Sequence, residues 1–152
     1  MRVRFPDGTE VLAHGRLEVV PPERPRSPDA ALYLDSRWET DPGVSWPYTL
    51  IPWDDFELPE DEEELFQALD TIWAAARSGK LVEVACDGGT GRTGTALACL
   101  AVLSGMQPET AVTWVRKNYH PWAVEVPEQE ALVDRFAAWS GGEGDDPTGF
   151  LE

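Results

Sequence analysis

One short segment of the chain combines a thiol, a guanidinium and several glycines at a spacing that suits phosphate chemistry. Cys86 and Arg92 stand six positions apart, and between them lie Asp87, Gly88, Gly89, Thr90 and Gly91. A cysteine at a helix N-terminus has its thiolate stabilised by the helix dipole and by backbone amides, which makes it a nucleophile near neutral pH. The planar guanidinium of Arg92 would hold two phosphate oxygens, and the glycines would let amides approach a third. Thr93 would place a hydroxyl beside the sulfur, so the segment predicts phosphoryl transfer to cysteine.

The flanking sequence indicates that this segment is a strand-to-helix turn. Residues 81–85 form a short apolar run typical of a buried, central, parallel strand, and residues 95–103 predict an apolar helix that ends at Gly105. Backbone amides converge at such a turn and the helix dipole adds positive potential, which favours an anion there.

The rest of the chain predicts an α/β protein. Strands are expected at residues 2–5, 11–14 and 31–34, helices at residues 61–78, 108–118 and 127–139, and irregular structure at residues 36–59. Strands that alternate with helices predict a single domain with a short, mostly parallel central sheet flanked by helices. We assign this domain to residues 1–139 and expect residues 140–152 to form an acidic, flexible tail.

Two other phosphate-binding patterns compete for the glycine-rich segment. Residues 89–94 match the GxGxxG pattern of dinucleotide-binding proteins, which requires a following strand and an acidic residue about 20 positions on. In that region the chain has Pro108 and Glu109 at a predicted helix start, and a lone glycine pattern is weak evidence. A nucleotide P-loop requires a lysine before Ser or Thr, and the segment has none.

Residues 86–94 resemble the Cys-x5-Arg-Thr/Ser signature of the cysteine-based protein tyrosine phosphatase and dual-specificity phosphatase superfamily. The resemblance implies a protein-tyrosine-phosphatase-like fold and a cysteinyl-phosphate intermediate, with no metal or organic cofactor. In that superfamily the general acid is an Asp on a Trp-Pro-Asp loop. Here Trp53 is followed by Asp54 and Asp55, and Asp55 lies thirty-one positions before the cysteine. The resemblance therefore implies Asp55 as the acid, with Asp54 as the alternative.

Two further positions follow from the resemblance. Residues 116–130 resemble the segment that carries the superfamily's glutamine loop, so Gln129 would position the hydrolytic water unless it is simply a surface residue of a helix. The superfamily has a histidine immediately before the cysteine, where this chain has Ala85. A catalytically weak or purely phosphate-binding module is therefore an alternative to a protein tyrosine or dual-specificity phosphatase.

Charge restricts the partners that the chain would bind. The 152 residues include 12 basic and 28 acidic side chains, for a formal net charge of −16. Such a surface disfavours nucleic acids and anionic membranes, which are bound by Lys and Arg. Eight acidic residues fall within residues 54–64. We expect a phosphorylated protein or peptide, or a small phosphomonoester, with a single phosphate and neutral or basic surroundings.

The remaining titratable residues point to structural roles. The chain has two cysteines, Cys86 and Cys99, without CxxC spacing, and His14 and His120 lack partners at metal-ligand spacing. We expect Cys99 to lie in the core and no metal to be bound. The sequence has neither a signal peptide nor a transmembrane run, which favours a cytoplasmic protein. It does not distinguish phosphotyrosine from phosphoserine substrates, and it leaves the oligomeric state undetermined.

Overall fold

Five strands and four helices make up the part of the chain that the structure describes. The computed structural model describes residues 1–15, 26–35, 44–54, 56–88 and 90–143. In chain order the elements are β1 (Arg2–Arg4), β2 (Glu10–Gly15), β3 (Ala30–Leu34), β4 (Tyr48–Ile51), α1 (Glu62–Arg77), β5 (Val82–Cys86), α2 (Gly91–Leu103), α3 (Pro108–Asn118) and α4 (Pro127–Glu143).

The strands form one sheet in the order β1-β2-β5-β3-β4. The β2–β5, β5–β3 and β3–β4 pairs are parallel, and β1 pairs with β2 in antiparallel orientation. Every residue of β5 is buried, as expected for a central parallel strand that is covered on both faces. The predicted α/β class, the mostly parallel sheet and the central place of β5 are confirmed.

Helix α1 begins and ends close to the predicted residues 61–78, because both of its ends carry local sequence signals. The Asp61 side chain accepts a hydrogen bond from the Glu64 amide over 3.1 Å and so caps the first turn. After the last turn, Gly79 adopts φ +95°, a left-handed conformation that favours glycine and ends a helix. The apolar side chains spaced along one face are buried, namely Leu65, Leu69, Ile72 and Ala76. Burial of this stripe against the sheet stabilises the helix.

Helix α2 lies at the centre of the helical layer. All of its residues from Gly91 to Ala101 are buried, and α1, α3 and α4 pack around it. Aromatic contacts join the helices of this layer. Phe66 of α1 and Phe136 of α4 form an edge-to-face pair with ring centroids 5.2 Å apart. No helix in the described ranges is both long and apolar enough to span a bilayer.

Three predicted boundaries were wrong. Residues 48–51 form β4 inside the segment predicted to be irregular, because this edge strand exposes Tyr48 and Thr49 and shows no apolar alternation. Helix α2 begins at Gly91 and not at residue 95, since the Gly94 amide already donates to the Thr90 carbonyl over 2.8 Å. The glycine-rich turn thus winds directly into the helix.

Helix α4 continues to Glu143 and not only to residue 139, so residues 140–143 of the predicted tail are helical. Ser140 supports this extension through its hydroxyl, which donates to the Ala137 carbonyl. The remainder of the predicted tail, residues 144–152, lies outside the described residues. The dinucleotide interpretation is wrong, because β5 and α2 are followed by α3 and α4 with no further strand in the described part of the chain.

Candidate active site

Cys86 is the last residue of the central strand and opens the turn that leads into α2. Its neighbour in the sheet is Gly15 of β2, and the Cys86 side chain is buried. Asp87 is partly buried and Gly88 is exposed, while Gly89 lies outside the described residues. Thr90 is the N-cap residue of α2, yet its side chain does not cap the helix. The N-terminus of α2 is therefore not capped by its own N-cap side chain, and a helix N-terminus favours an anion.

Arg92 stands in the first turn of α2 and is almost wholly buried. Its Nη1 atom donates to the main-chain carbonyl of Trp53 over 2.8 Å and lies 3.4 Å from Oδ1 of Asp35. Asp35 directly follows β3, so two strand ends fix the guanidinium. Sequence analysis did not identify Asp35, because its partner is fifty-seven positions away and no local pattern connects them.

The segment carrying both candidate acids begins at the carbonyl that Arg92 binds. Trp53 is fully buried and its indole Nε1 donates to the Glu57 carbonyl over 2.8 Å, while the Glu57 amide donates to the Asp54 carbonyl. Phe56 adopts φ +63°, so the chain turns sharply here. Asp54 is exposed, and Asp55 lies outside the described residues. The backbone of Trp53 is thus held against Arg92, and the catalytic roles of both acids stay predictions.

Thr93 and Gln129 are fully buried near the turn. Among the described residues, neither the Thr93 hydroxyl nor the Gln129 Nε2 atom has a hydrogen-bond partner, whereas Gln129 Oε1 accepts from the Glu125 amide over 2.9 Å. The alternative that Gln129 is a surface residue is wrong. An unsatisfied buried polar group costs about 1–3 kcal/mol, so these two atoms suit a bound anion or water.

The loop before α4 covers the start of α2. A Cβ atom placed on Gly91 would overlap the Glu125 carboxylate, and one on Gly94 would lie 2.5 Å from the Ala123 Cβ. Arg116 holds this loop by donating to the Ala123 and Val124 carbonyls over 2.9 and 2.8 Å. Glu125 thereby brings a carboxylate to the candidate phosphate site, and no sequence motif singled it out.

A cavity of about 560 Å³ adjoins this loop. Its lining includes Phe56 from the candidate acid segment together with Trp122 and Glu125 from the loop before α4. Phe56 is 57% exposed and Trp122 is 72% exposed, which is unusual for such large apolar side chains. The cavity offers aromatic contact area beside the loop that covers the start of α2.

Cys99 lies inside a helix, whereas Cys86 lies at the end of a strand. Cys99 is fully buried inside α2, and this burial raises the pKa of its thiol well above the usual range. The thiol therefore stays protonated, and the expected core position of Cys99 is confirmed. Within the described ranges, no three His, Cys, Asp or Glu side chains lie close enough to share a metal ion.

A family model described as the DSP-PTPase phosphatase domain of Swiss Army Knife proteins matches residues 34–128, more than half of the chain. The chain belongs to this family. The match to the DSP-PTPase domain runs from the end of β3 into the first turn of α4. It therefore includes the Cys86–Arg92 turn, Trp53 and Asp35, whereas β1, β2 and all of β3 except Leu34 lie outside it.

Two curated proteins are similar to this chain over part of its length. "Uncharacterized protein MJECL20" of Methanocaldococcus jannaschii is 39% identical over 90 residues, which cover 59% of each chain. "Uncharacterized protein MJ0215" of the same organism is 38% identical over 90 residues, 59% of this chain and 55% of the relative. The matched region thus spans less than three fifths of the length of these curated relatives.

Solved structures also resemble the chain. Tk-PTP in its active form superposes with a TM-score of 0.66 at 28% identity, covering 83% of this chain and 88% of Tk-PTP. Human DUSP28 has a TM-score of 0.69 at 14% identity, covering 88% and 95% of the two chains, a level that shows the fold alone. The predicted superfamily is confirmed, and the chain carries a phosphatase domain of the dual-specificity and tyrosine-phosphatase type.

Proposed function

We propose that this protein hydrolyses phosphomonoesters through a cysteinyl-phosphate at Cys86, as a protein tyrosine or dual-specificity phosphatase. The observation that carries the proposal is the placement of Arg92, in the first turn of α2, with its Nη1 bound to the carbonyl of Trp53. This contact supports the proposal, because it joins the candidate phosphate-binding cation to the segment with the candidate acids. The N-terminus of α2, which the Thr90 side chain does not cap, and the neighbouring glycines would complete an anion site around the thiol.

In the proposed first step, the Cys86 thiolate attacks phosphorus and the bond to the leaving oxygen breaks. Arg92 and the turn amides hold the equatorial oxygens, where transition-state charge develops. Asp55 donates a proton to the leaving alcohol or phenol.

In the second step, a water loses its proton to the Asp55 carboxylate and attacks the cysteinyl-phosphate. Inorganic phosphate leaves and the thiolate is regenerated. Thr93 would assist departure of the sulfur with its buried hydroxyl. Gln129 would orient the water through its Nε2 atom, which has no other hydrogen-bond partner in the described structure.

The surroundings of the site favour an aromatic phosphoester without neighbouring negative charge. The cavity beside the loop before α4 is lined by exposed Phe56 and Trp122, against which a phenyl ring would pack. Glu125 and the acidic residues after Trp53 would repel further phosphates or acidic side chains. We therefore propose phosphotyrosine in a neutral or basic peptide as the preferred substrate, with the protein acting without nucleic acid or membrane partners.

The alternative is a module that binds phosphate or a phosphoprotein without efficient turnover. Two observations favour it, namely Ala85 in place of the superfamily's histidine and the Glu125 carboxylate that lies against Gly91. A carboxylate beside the helix N-terminus would compete with phosphate for the same amides.

The decisive experiment measures hydrolysis of an aryl phosphate in the presence of a chelator. We expect turnover by the wild-type protein, none by Cys86→Ser, and strong losses for Arg92→Ala and Asp55→Asn. Asp54→Asn is the matched control for the acid and should keep most of the activity. Undiminished turnover by Cys86→Ser would refute the mechanism. Wild-type protein that binds tungstate but never turns over would establish the binding module instead.

A further inference from the structure

A buried polar network lies in the sheet beside the nucleophile strand. His14 of β2 and Glu83 of β5 are 4% and 1% exposed, and His14 Nε2 lies 3.1 Å from Glu83 Oε1. The Tyr33 hydroxyl donates to Glu83 Oε2 over 2.7 Å, and the Trp46 indole donates to the Tyr33 hydroxyl over 2.9 Å. Sequence analysis assigned His14 only a structural or surface role.

Hydrogen-bond chemistry fixes how the His14 ring is oriented. Its Nδ1 atom lies 2.7 Å from the Gly15 carbonyl oxygen, which only accepts, so Nδ1 carries a proton. The contact between Nε2 and Glu83 Oε1, at 3.1 Å, holds the other side of the ring. The carboxylate is held in turn by Tyr33, so the imidazole has one orientation, with its Nδ1–H aimed at Gly15.

Gly15 transmits this orientation to the catalytic turn. It is the register partner of Cys86, and a Cβ placed on it would lie 3.0 Å from the Gly88 carbonyl carbon and 3.1 Å from the Asp87 oxygen. The backbone of Asp87 and Gly88 therefore lies directly against Gly15. His14 is likewise the register partner of Ala85, so its side chain stands on the same face of the sheet, next to that alanine.

We propose that His14, oriented by Glu83, is a positioning residue that holds the Cys86 turn in its anion-binding form through the Gly15 carbonyl. Burying an acid and a base together adds little net stability, because desolvation offsets their attraction. The His14–Glu83 pair is therefore better explained by its effect on the position of the turn than by a contribution to folding stability. The inference rests on the proposed function of Cys86. In it, the His14 imidazole of β2 stands beside Ala85, the position where the superfamily has its histidine.

The two nitrogens of His14 allow a matched test. His14→Asn keeps a donor near the Nδ1 position, within reach of the Gly15 carbonyl, whereas His14→Gln keeps one near Nε2, within reach of Glu83. Loss of one hydrogen bond worth about 1.4 kcal/mol is a tenfold change in an equilibrium. We expect His14→Gln to bind tungstate about tenfold more weakly than wild type, and to lower kcat by a larger factor than it changes KM. We expect the tungstate affinity of His14→Asn to stay within about threefold of wild type.

Titration calorimetry with tungstate, together with urea unfolding, separates positioning from stability. A second variant, His14→Leu with Glu83→Leu, replaces the pair by apolar side chains and should remain folded while it binds tungstate weakly. Equal tungstate affinities for His14→Asn and His14→Gln, or wild-type affinity in the double leucine variant, would overturn the inference. Because tungstate binding needs no turnover, a wild-type protein without phosphatase activity would refute the proposed function and still leave this test in force.

Discussion

The guanidinium of Arg92 donates to the main-chain carbonyl of Trp53 over 2.8 Å, which joins the first turn of α2 to the segment that follows β4. Arg92 is also within ion-pair distance of Asp35, at the end of β3. One side chain therefore connects three chain segments that surround the candidate nucleophile. Its geometry, and not only its charge, should matter for the activity.

Replacing Arg92 by lysine tests that geometry. Arg92→Lys keeps the positive charge but loses the planar fork that binds the Trp53 carbonyl and, in the proposed mechanism, two phosphate oxygens. We expect kcat for aryl phosphate hydrolysis to fall by about 10²–10³-fold, the effect of removing a donor to the transition-state oxygens. Steady-state kinetics measures this, with Arg135→Lys as the control because Arg135 bonds Glu62 at the surface. Equal losses in the two variants would contradict the prediction.

Gly94 tests the close approach of α2 and the loop before α4. An alanine in a helix is normally more stable than glycine, by up to about 1 kcal/mol. At Gly94 the new Cβ would lie 2.5 Å from the Ala123 Cβ, so we expect Gly94→Ala to lower the free energy of unfolding by about 1–3 kcal/mol. Urea denaturation measures the change. Gly141→Ala in α4 meets no atom within 4 Å and should stabilise; stabilisation by both would show that no close contact exists.

Cys99 tests whether the second thiol takes part in the chemistry. Burial raises the pKa of this thiol, so it should not react with a disulfide reagent at about pH 8 while the protein is folded. In Cys86→Ser, where Cys99 is the remaining cysteine, we expect thiol labelling only after guanidinium is added. Cys99→Ala should keep its phosphatase activity. Fast labelling of folded Cys86→Ser would instead indicate a thiol able to form a disulfide with Cys86.

The Asp29 carboxylate should make the folding stability decrease at low pH. Hydrogen bonds from Arg26, and then from the Leu81 amide, lower the pKa of Asp29 from 3.8 to about 2. Its contribution to folding stability is therefore present above about pH 4 and is lost as the pH falls toward 2. NMR titration of the carboxyl carbon should show this pKa in the wild type and a higher one in Arg26→Ala. An unchanged pKa in Arg26→Ala would assign the shift to the amide alone.

The sequence was sufficient for elements whose signals are local. The turn from Cys86 to Arg92 is contiguous, and helix α1 carries both a capping residue and an apolar stripe, so the sequence alone locates both. Strand β4 could not be located in this way, because an exposed edge strand has no apolar alternation. Its pairing with β3 supplies the missing information.

The contacts that complete the candidate site are long-range. Asp35 approaches Arg92 only because β3 lies beside β5, and Glu125 reaches Gly91 only because Arg116 holds the loop that carries it. Neither acid differs in local sequence from the many other carboxylates of the chain. Such pairs depend on the topology of the sheet and on loop packing, which a single sequence does not contain.

The position of β2 has a practical consequence for how the domain is dissected. Residues 34–128 carry the family match, yet β2 and all of β3 except Leu34, which pair with the two sides of β5, lie upstream of them. A recombinant fragment trimmed to the matched residues would leave main-chain N–H and C=O groups on both sides of β5 unpaired. Such apolar open edges recruit strands from other molecules. The fragment would therefore self-associate at the strand that carries Cys86, and β1, β2 and β3 belong in any minimal folded unit.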